Sequence, residues 1–600
     1  MTRWLGLFLM GGVLIMAAAH AQQTPWERVD LRQVEVGGEI GRRIDITINN
    51  NLLKLDLEND FLEPFRQRNQ SGGFVGLGML LDSMVRLAAY SESPELLARK
   101  DRAVSVILDT QEDDGYIGIC KPEARLRKLW DIHEMAYIIY GLAMEHRFFG
   151  NEAALKGACK AADYIMAGWH AEPEMVPGGG DITIYMAVTG LEPALIALYH
   201  ATGEQHYLDF CTAFRKLSDW DGPVVLGRWG QIQGHAYAYM ARCLAQLRLH
   251  RVQPDPALFE RSHNLLDFLC NKGGLTIIGA SGQHECWHDT QDGAANLGET
   301  CATAYMIRWL DKLMRLEGRA RYGGLMERAI HNALFAAQSP DGRRIRYYSP
   351  FEGPRVYFDK DTYCCPCNFR RIIGELPQLI YYQTGDGAAV NLYTPSEARL
   401  EAAGVPLTLR QETDYPAGGA VTLHVDPESA ARFTLALRMP AWCQSPSVAV
   451  NGEAQPAPAS GVFYQIAREW KPGDTVELHF PMVLRLVAGF ANQSGRAAVM
   501  YGPKVFCLNP ALNPGLARED LRLITLKPDT LRGPEPDASV HDGGLKCAVD
   551  AWKTTDWYPF GDTRWTLTLT EFPDPAGEAA YFHLPNPNDP ALTPDPLLAP

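Results

Sequence analysis

Beyond its first twenty or so residues the chain has no apolar run of about 18 residues, the length a bilayer-crossing helix needs. It has no basic run either. With a formal net charge of -15 the surface repels a phosphate backbone, so nucleic acid is not expected as a partner. A fixed repeat length is missing, which weighs against an open α-solenoid. So is a disulfide framework: the 13 cysteines are odd in number and scattered, unlike those of small oxidised scaffolds. Nor is the composition that of a disordered chain, at 46% hydrophobic and 21% charged residues.

The one strongly apolar run is N-terminal. Arg3 precedes an apolar stretch over 5–19, and Ala19-His20-Ala21 offers small residues at an A-x-A cleavage site. Residues 1–21 read as a signal peptide, with an uncleaved anchor as the other reading. No cysteine follows the small residues, so a lipoprotein is not indicated. The expected destination is the periplasm or the medium, since one signal serves both.

At 600 residues the chain exceeds one ordinary domain. Up to about 385 the pattern is helical: 76–90, 97–108, 133–147, 152–169, 192–200, 205–217, 236–250, 256–270, 302–316, 323–337 and 370–382, joined by turns bearing Gly, Pro or Asp. With 50–65 added, about a dozen helices in hairpins suggest an (α/α)6 toroid over 50–385. From 386 the period changes to two, as in VTLHV at 421–425 and WTLTLT at 565–570. Antiparallel β-sandwich material is expected over 386–585. The 22–49 segment, strand-like over 34–48, is placed on that sheet. The tail at 586–600 is rich in Pro and Asp and is expected to lack a core.

The chemistry concentrates in two short pieces. Glu299-Thr300-Cys301 opens one helix, and Cys364-Cys365-Pro366-Cys367 precedes another. Thiolates with a carboxylate are a zinc ligand set. A helix N-terminus also favours the thiolate form. Two other readings stand beside a catalytic zinc: a disulfide from Cys301 to the 364–367 group, and a purely structural zinc. Upstream, Glu285 beside Trp287 is a candidate proton donor, since an apolar wall raises a carboxyl pKa; the alternative is a solvated loop glutamate. His284 and His288 are weaker metal candidates. Cys159, Cys211, Cys243 and Cys270 sit on apolar faces and read as buried small hydrophobes.

The chain resembles the β-L-arabinofuranosidase family, glycoside hydrolase family 127 and its relatives. The resemblance rests on Gln111-Glu112-Asp113-Asp114-Gly115-Tyr116, Trp130-Asp131-Ile132-His133-Glu134, Leu198-Tyr199-His200-Ala201-Thr202-Gly203 and Gly234-His235-Ala236. It is most specific at Glu299-Thr300-Cys301-Ala302 and Cys364-Cys365-Pro366, and it continues through Arg438-Met439-Pro440-Ala441-Trp442, Val450-Asn451-Gly452 and Tyr501-Gly502-Pro503. It implies a retaining glycosidase, an exo-acting β-L-arabinofuranosidase or a relative acting on an oligosaccharide or glycoside of plant type, and the N-terminal signal makes it an exported one. Zinc would be bound by Glu299, Cys301, Cys364 and Cys365, with Cys364 as nucleophile and Glu285 as acid/base. His133 and His235 would contact the sugar, as would Tyr347, with Tyr348 as the alternative register. Cys367 stands where the family has a second proline, and no histidine occupies the 190–192 region where the family places one. Two further readings remain open at this stage. One is a carboxylate pair, Asp114 with Glu285, in an inverting hydrolase or a lyase. The other is a carbohydrate-binding protein without turnover. Oligomeric state is not legible.

Overall fold

The computed structural model describes residues 25–70, 73–177, 184–228, 232–554 and 564–598; the proposed signal segment at 1–21 lies outside them. A helical domain is followed by β-rich domains. Six helices run in chain order as Leu77–Ser91, Asp131–Phe149, Leu191–Thr202, Ala236–His250, Thr300–Glu317 and Cys364–Ile373. Each packs on the next, and the last returns to pack on the first. Neighbours cover most of their faces: Thr300–Glu317 is buried from Thr300 to Met314, its Arg308, Asp311 and Lys312 included. The helices between them carry one buried stripe. Pro94–Asp109 turns Leu96, Ala103, Val104, Val106 and Ile107 inward, at the spacing an amphipathic surface helix requires.

The β half begins with two sheets that bury their inner faces in the core shared with the helices. In the seven-stranded sheet, Val421, Leu423 and Val425 alternate inward with period two, as their sequence requires. A third sheet, from Leu484 to Thr593, has a core of its own around Phe506, Leu569 and Phe582.

The helix expected over 370–382 ends at Ile373, and Tyr381–Thr384 is already a strand. Three further expectations fail for identifiable reasons. Over 34–48 only Val34–Val36 is a strand, pairing antiparallel with the strand Ser396–Ala402; Gly38–Ile46 is a helix. Gly38 at φ +61 ends the strand, and Ile40 and Ile44, four apart, then share a buried face. The 50–65 stretch is not one helix but short 3₁₀ and wide π-type turns, interrupted where Asp56 accepts the Asn59 N–H. The tail is packed rather than coreless: Leu592–Thr593 pairs parallel with Leu484–Ala488, Asp595 forms a buried ion pair with Arg328, and Leu597 is buried.

A buried polar network ties the helices to the first sheets. Arg438 at the end of Ala431–Arg438 pairs with Glu327 at 2.6 Å, and Tyr415 donates its hydroxyl to the same carboxylate oxygen at 2.6 Å. Arg438→Met takes away the ion-pair partner of the buried Glu327 carboxylate and leaves it the Tyr415 hydroxyl. The variant is expected to lose about 3–5 kcal/mol of stability, the scale for breaking one side of a buried pair. Denaturant unfolding checks this, and an unchanged midpoint would remove the network from the account of domain docking.

Candidate active site

The N-terminal ends of several core helices converge on one site. Glu299 immediately precedes Thr300–Glu317 and Cys301 lies in its first turn. Thr300 anchors that turn, taking the Tyr347 carbonyl with its N–H (2.9 Å) and the Arg346 carbonyl with its hydroxyl (2.7 Å). Cys364 and Cys365 do not precede a helix, as the sequence suggested, but begin Cys364–Ile373. Pro366 is tolerated there because a first-turn N–H has no intrahelical acceptor to lose. The residue before that helix, Tyr363, is held at φ 145, a region that L side chains rarely adopt, directly beside the candidate nucleophile.

The donor atoms of Glu299, Cys301, Cys364 and Cys365 lie within 4.8 Å of one another, all buried. Cys301 and Cys365 sulfurs are 3.3 Å apart and Cys365 Sγ is 3.6 Å from Glu299 Oε1. A disulfide needs about 2.05 Å, and all thirteen cysteines are unbonded. A tetrahedral zinc with Zn–S bonds of about 2.3 Å separates its sulfurs by roughly 3.8 Å, a small adjustment from this arrangement. Burial pushes the Glu299 carboxyl and the Cys301 and Cys365 thiols well up. Hydrogen bonds from Cys301 and then Cys365 hold Cys364 well below the ordinary thiol range. Glu299 Oε2 is buried without a hydrogen-bond partner among the described residues. Crowded, desolvated acids with an orphaned carboxylate oxygen form a set that a divalent cation would satisfy, and the soft donors are consistent with zinc.

Cys367 does not join this cluster. It accepts from Arg370 Nη1 at 3.4 Å, and its sulfur lies near Gly76. Asn368, which the sequence reading passed over, donates Nδ2–H to Cys301 Sγ at 3.3 Å and accepts from Arg371 at 2.9 Å. Its position four residues after Cys364, on the same helical face, was the available signal.

Glu285 reaches the site from a two-residue hairpin turn. Gln283 and Cys286 exchange both backbone hydrogen bonds, while His284 (φ 51) and Glu285 (φ 65) take the left-handed conformation of a type I′ turn. Ala236 N–H donates to the Glu285 carbonyl and Trp287 N–H to the Gly234 carbonyl, locking the hairpin against the start of Ala236–His250. Glu285 Oε2 therefore stands 3.5 Å from His235 Nε2. Its Oε1 receives the Tyr347 hydroxyl, which also lies 3.7 Å from Cys364 Sγ. Burial keeps the Tyr347 phenol protonated. Tyr348 instead pairs through its backbone with Glu299.

His133 lies deeper, against Trp130 and Tyr137, with Nε2 3.4 Å from the Tyr237 hydroxyl. Burial, aided by Arg371, lowers its pKa to about 3, so the ring is neutral. Elsewhere the bland readings prevail. Asp114 is exposed and caps its turn by accepting the Tyr116 N–H, on a separate groove with Arg125 and Tyr164. His284 pairs with Asn296, and neither it nor His288 joins the metal-type cluster. Glu192, in the region without the family's histidine, is buried against Arg215 and Arg242.

Residues 31–378 match the model of the β-L-arabinofuranosidase GH127 catalytic domain, and 387–482 match that of the GH127 middle domain. A non-reducing end β-L-arabinofuranosidase of Bifidobacterium longum subsp. longum is 26% identical over 510 residues, covering 72% of this chain and 75% of that protein. A crystal structure of a GH127 β-L-arabinofuranosidase from Geobacillus stearothermophilus T6 aligns with a TM-score of 0.77 at 25% identity, over 92% of this chain and 100% of that one. A structure of another GH127 β-arabinofuranosidase has the same fold, with a TM-score of 0.79 at 22% identity over 96% of this chain and 99% of that one. The chain belongs to the β-L-arabinofuranosidase family, glycoside hydrolase family 127, and is an enzyme that acts on glycosidic bonds.

Proposed function

We propose that the protein is an exported, retaining β-L-arabinofuranosidase that uses Cys364 as nucleophile and Glu285 as acid/base at a zinc-thiolate centre. The observation that carries this reading is the Tyr347 hydroxyl, which touches the Glu285 carboxylate and lies 3.7 Å from the Cys364 sulfur. It puts a proton carrier and a low-pKa sulfur at one point. The sugar and the exo mode of attack come from the relatives' names. The closed packing order of the six core helices supports an (α/α)6 toroid as the scaffold, with the catalytic unit at about 50–385 and β-sandwich material at 386–585. Export rests on the apolar run at 5–19, with the mature chain starting near Gln22 and working in the periplasm or the medium. An oxidising compartment is compatible with the cysteine cluster because all four donors are buried.

Glu299, Cys301, Cys364 and Cys365 would hold the zinc, which would keep the thiols deprotonated near neutral pH. In the first step the Cys364 sulfur forms a bond to the anomeric carbon as the glycosidic C–O bond breaks. The leaving oxygen takes the proton from Glu285. In the second step Glu285 removes a proton from water, the water oxygen bonds to the same carbon, and the C–S bond breaks to return the thiolate. Two inversions give net retention. Tyr347, held protonated, donates to Glu285 and lies beside the sulfur. His235 steadies Glu285 from its other side, and neutral His133 lines the sugar pocket beside Tyr237.

Metal removal tests this reading. Purified mature protein, prepared without chelator, is expected to hold about one zinc per chain, as a four-ligand site takes. Chelation is expected to abolish hydrolysis of a β-L-arabinofuranoside, and zinc to restore it. Full activity in metal-free protein would overturn the proposal.

A further inference from the structure

At the far end of the core helices lies a second cavity, of about 600 Å³. It is built from the C-terminal turns of Asp131–Phe149, Leu191–Thr202 and Ala236–His250 and from the last turns of Thr300–Glu317. His235 caps the catalytic end of Ala236–His250, and Arg248 faces this cavity about 20 Å further along that helix at 1.5 Å per residue.

Seven lysine and arginine side chains line the cavity against one carboxylate, Glu27. This local charge opposes the chain's net -15. Four of the seven have carboxylate partners: Arg28 and Arg315 on Asp311, Arg86 on Asp82, and Arg251 on Glu27. Arg147, Arg248 and Lys312 have no carboxylate within 4.0 Å among the described residues. Arg248 meets the Pro193 carbonyl (3.4 Å) and the Tyr140 hydroxyl (3.2 Å) and lies over the Tyr140 ring (5.2 Å to its centroid), and Tyr140 is shared with Arg86 at 3.3 Å. Lys312 is the most telling. It is 6% exposed, and its ammonium makes no hydrogen bond or ion pair with a described residue. Burial, with Arg315, Arg251 and Arg248 nearby, depresses its pKa far below the ordinary lysine range. The fold thus gathers three basic side chains without carboxylate partners at one cavity, where an anion would meet all three. The weak negative end of the helix dipoles acts only on the final turn, whereas Lys312 lies five residues before Glu317.

We propose that this cavity is an anion-binding site, remote from the catalytic centre, that takes a small oxyanion of two or more negative charges between Lys312, Arg248 and Arg147. Its charged donors are guanidinium and ammonium groups, which suit phosphate and carboxylate oxygens, beside Tyr140, His146, His200 and Gln378. Its volume suits a molecule larger than a lone ion. The shared chemistry has two sources, a free phosphate-type anion or the carboxylates of an acidic glycan.

Calorimetric titration and thermal unfolding of the full protein at low ionic strength separate these, with inorganic phosphate and digalacturonate as probes and chloride as the control. A saturable heat and a saturable rise in unfolding temperature are expected for at least one probe, because a ligand that binds only the folded state stabilises it. Phosphate alone acting identifies the free anion; digalacturonate binding tighter identifies the sugar-borne one. Lys312→Met and Arg248→Met are each expected to weaken the binding about 10-fold or more, as loss of one charged partner does. Both are expected to retain glycosidase activity, which reports that they are folded. No saturable response to either probe, or two folded variants that bind as the wild type does, would overturn the proposal.

Discussion

Cys364→Ser is expected to lower kcat/KM by about 10⁴-fold or more, the scale on which an activated nucleophile is missed. The substitution keeps the shape of the side chain but replaces the thiol with a far weaker acid and nucleophile. In the proposed centre Cys301, Cys364 and Cys365 would all be zinc-bound thiolates, and Cys364 lies beside the Tyr347 hydroxyl. A serine hydroxyl in the same place is a much weaker nucleophile than a thiolate. Cys364 is also one of the four convergent donors, so zinc content must be measured beside the rate. Loss of turnover in a variant that still holds zinc assigns the effect to the sulfur. Substantial turnover in Cys364→Ser would remove Cys364 from the mechanism.

Glu285→Gln carries the second large effect. The amide fills the same turn position and can still accept from Tyr347, but it neither gives nor takes the catalytic proton. The loss is expected at about 10²–10⁴-fold on a substrate with a poor leaving group, the range for general acid–base catalysis. With an activated aryl leaving group, the first step no longer needs the proton, and breakdown of the intermediate becomes limiting. A burst of released phenol followed by slow turnover is the expected trace. Equal losses on both substrates, without a burst, would place Glu285 outside the acid/base role.

How far the sequence could be read depended on the kind of signal. The change from helical to period-two patterning near 385 depends on many residues at once, and the structure divides there. The metal-type cluster was legible because Glu299, Cys301, Cys364 and Cys365 are chemically rare together, although 63 residues separate Cys301 from Cys364. The hairpin that aims Glu285 was not legible. Type I′ turns announce themselves by Asn or Gly, and here His284 and Glu285 hold the left-handed conformation against their own preference. Such strain is stored where surrounding structure over-determines it, in this case the hydrogen bonds to Gly234 and Ala236. The choice between Tyr347 and Tyr348 needed the fold: their rings pack together, centroids 4.6 Å apart, and it is the Tyr347 hydroxyl that donates to Glu285. Asn368 and Tyr237 support the site only through tertiary contact. The 586–598 tail misled because composition carries no record of a partner surface: Asp595 finds Arg328 and Leu597 finds the core.

The measurement that reaches the nucleophile itself is mass spectrometry of the Glu285→Gln enzyme, quenched during turnover of an activated β-L-arabinofuranoside and digested. Slow breakdown of the intermediate should leave one pentosyl group on the peptide that carries Cys364, attached through sulfur. A pentosyl group on a carboxylate, or no adduct together with a product of inverted configuration, would contradict a cysteine nucleophile.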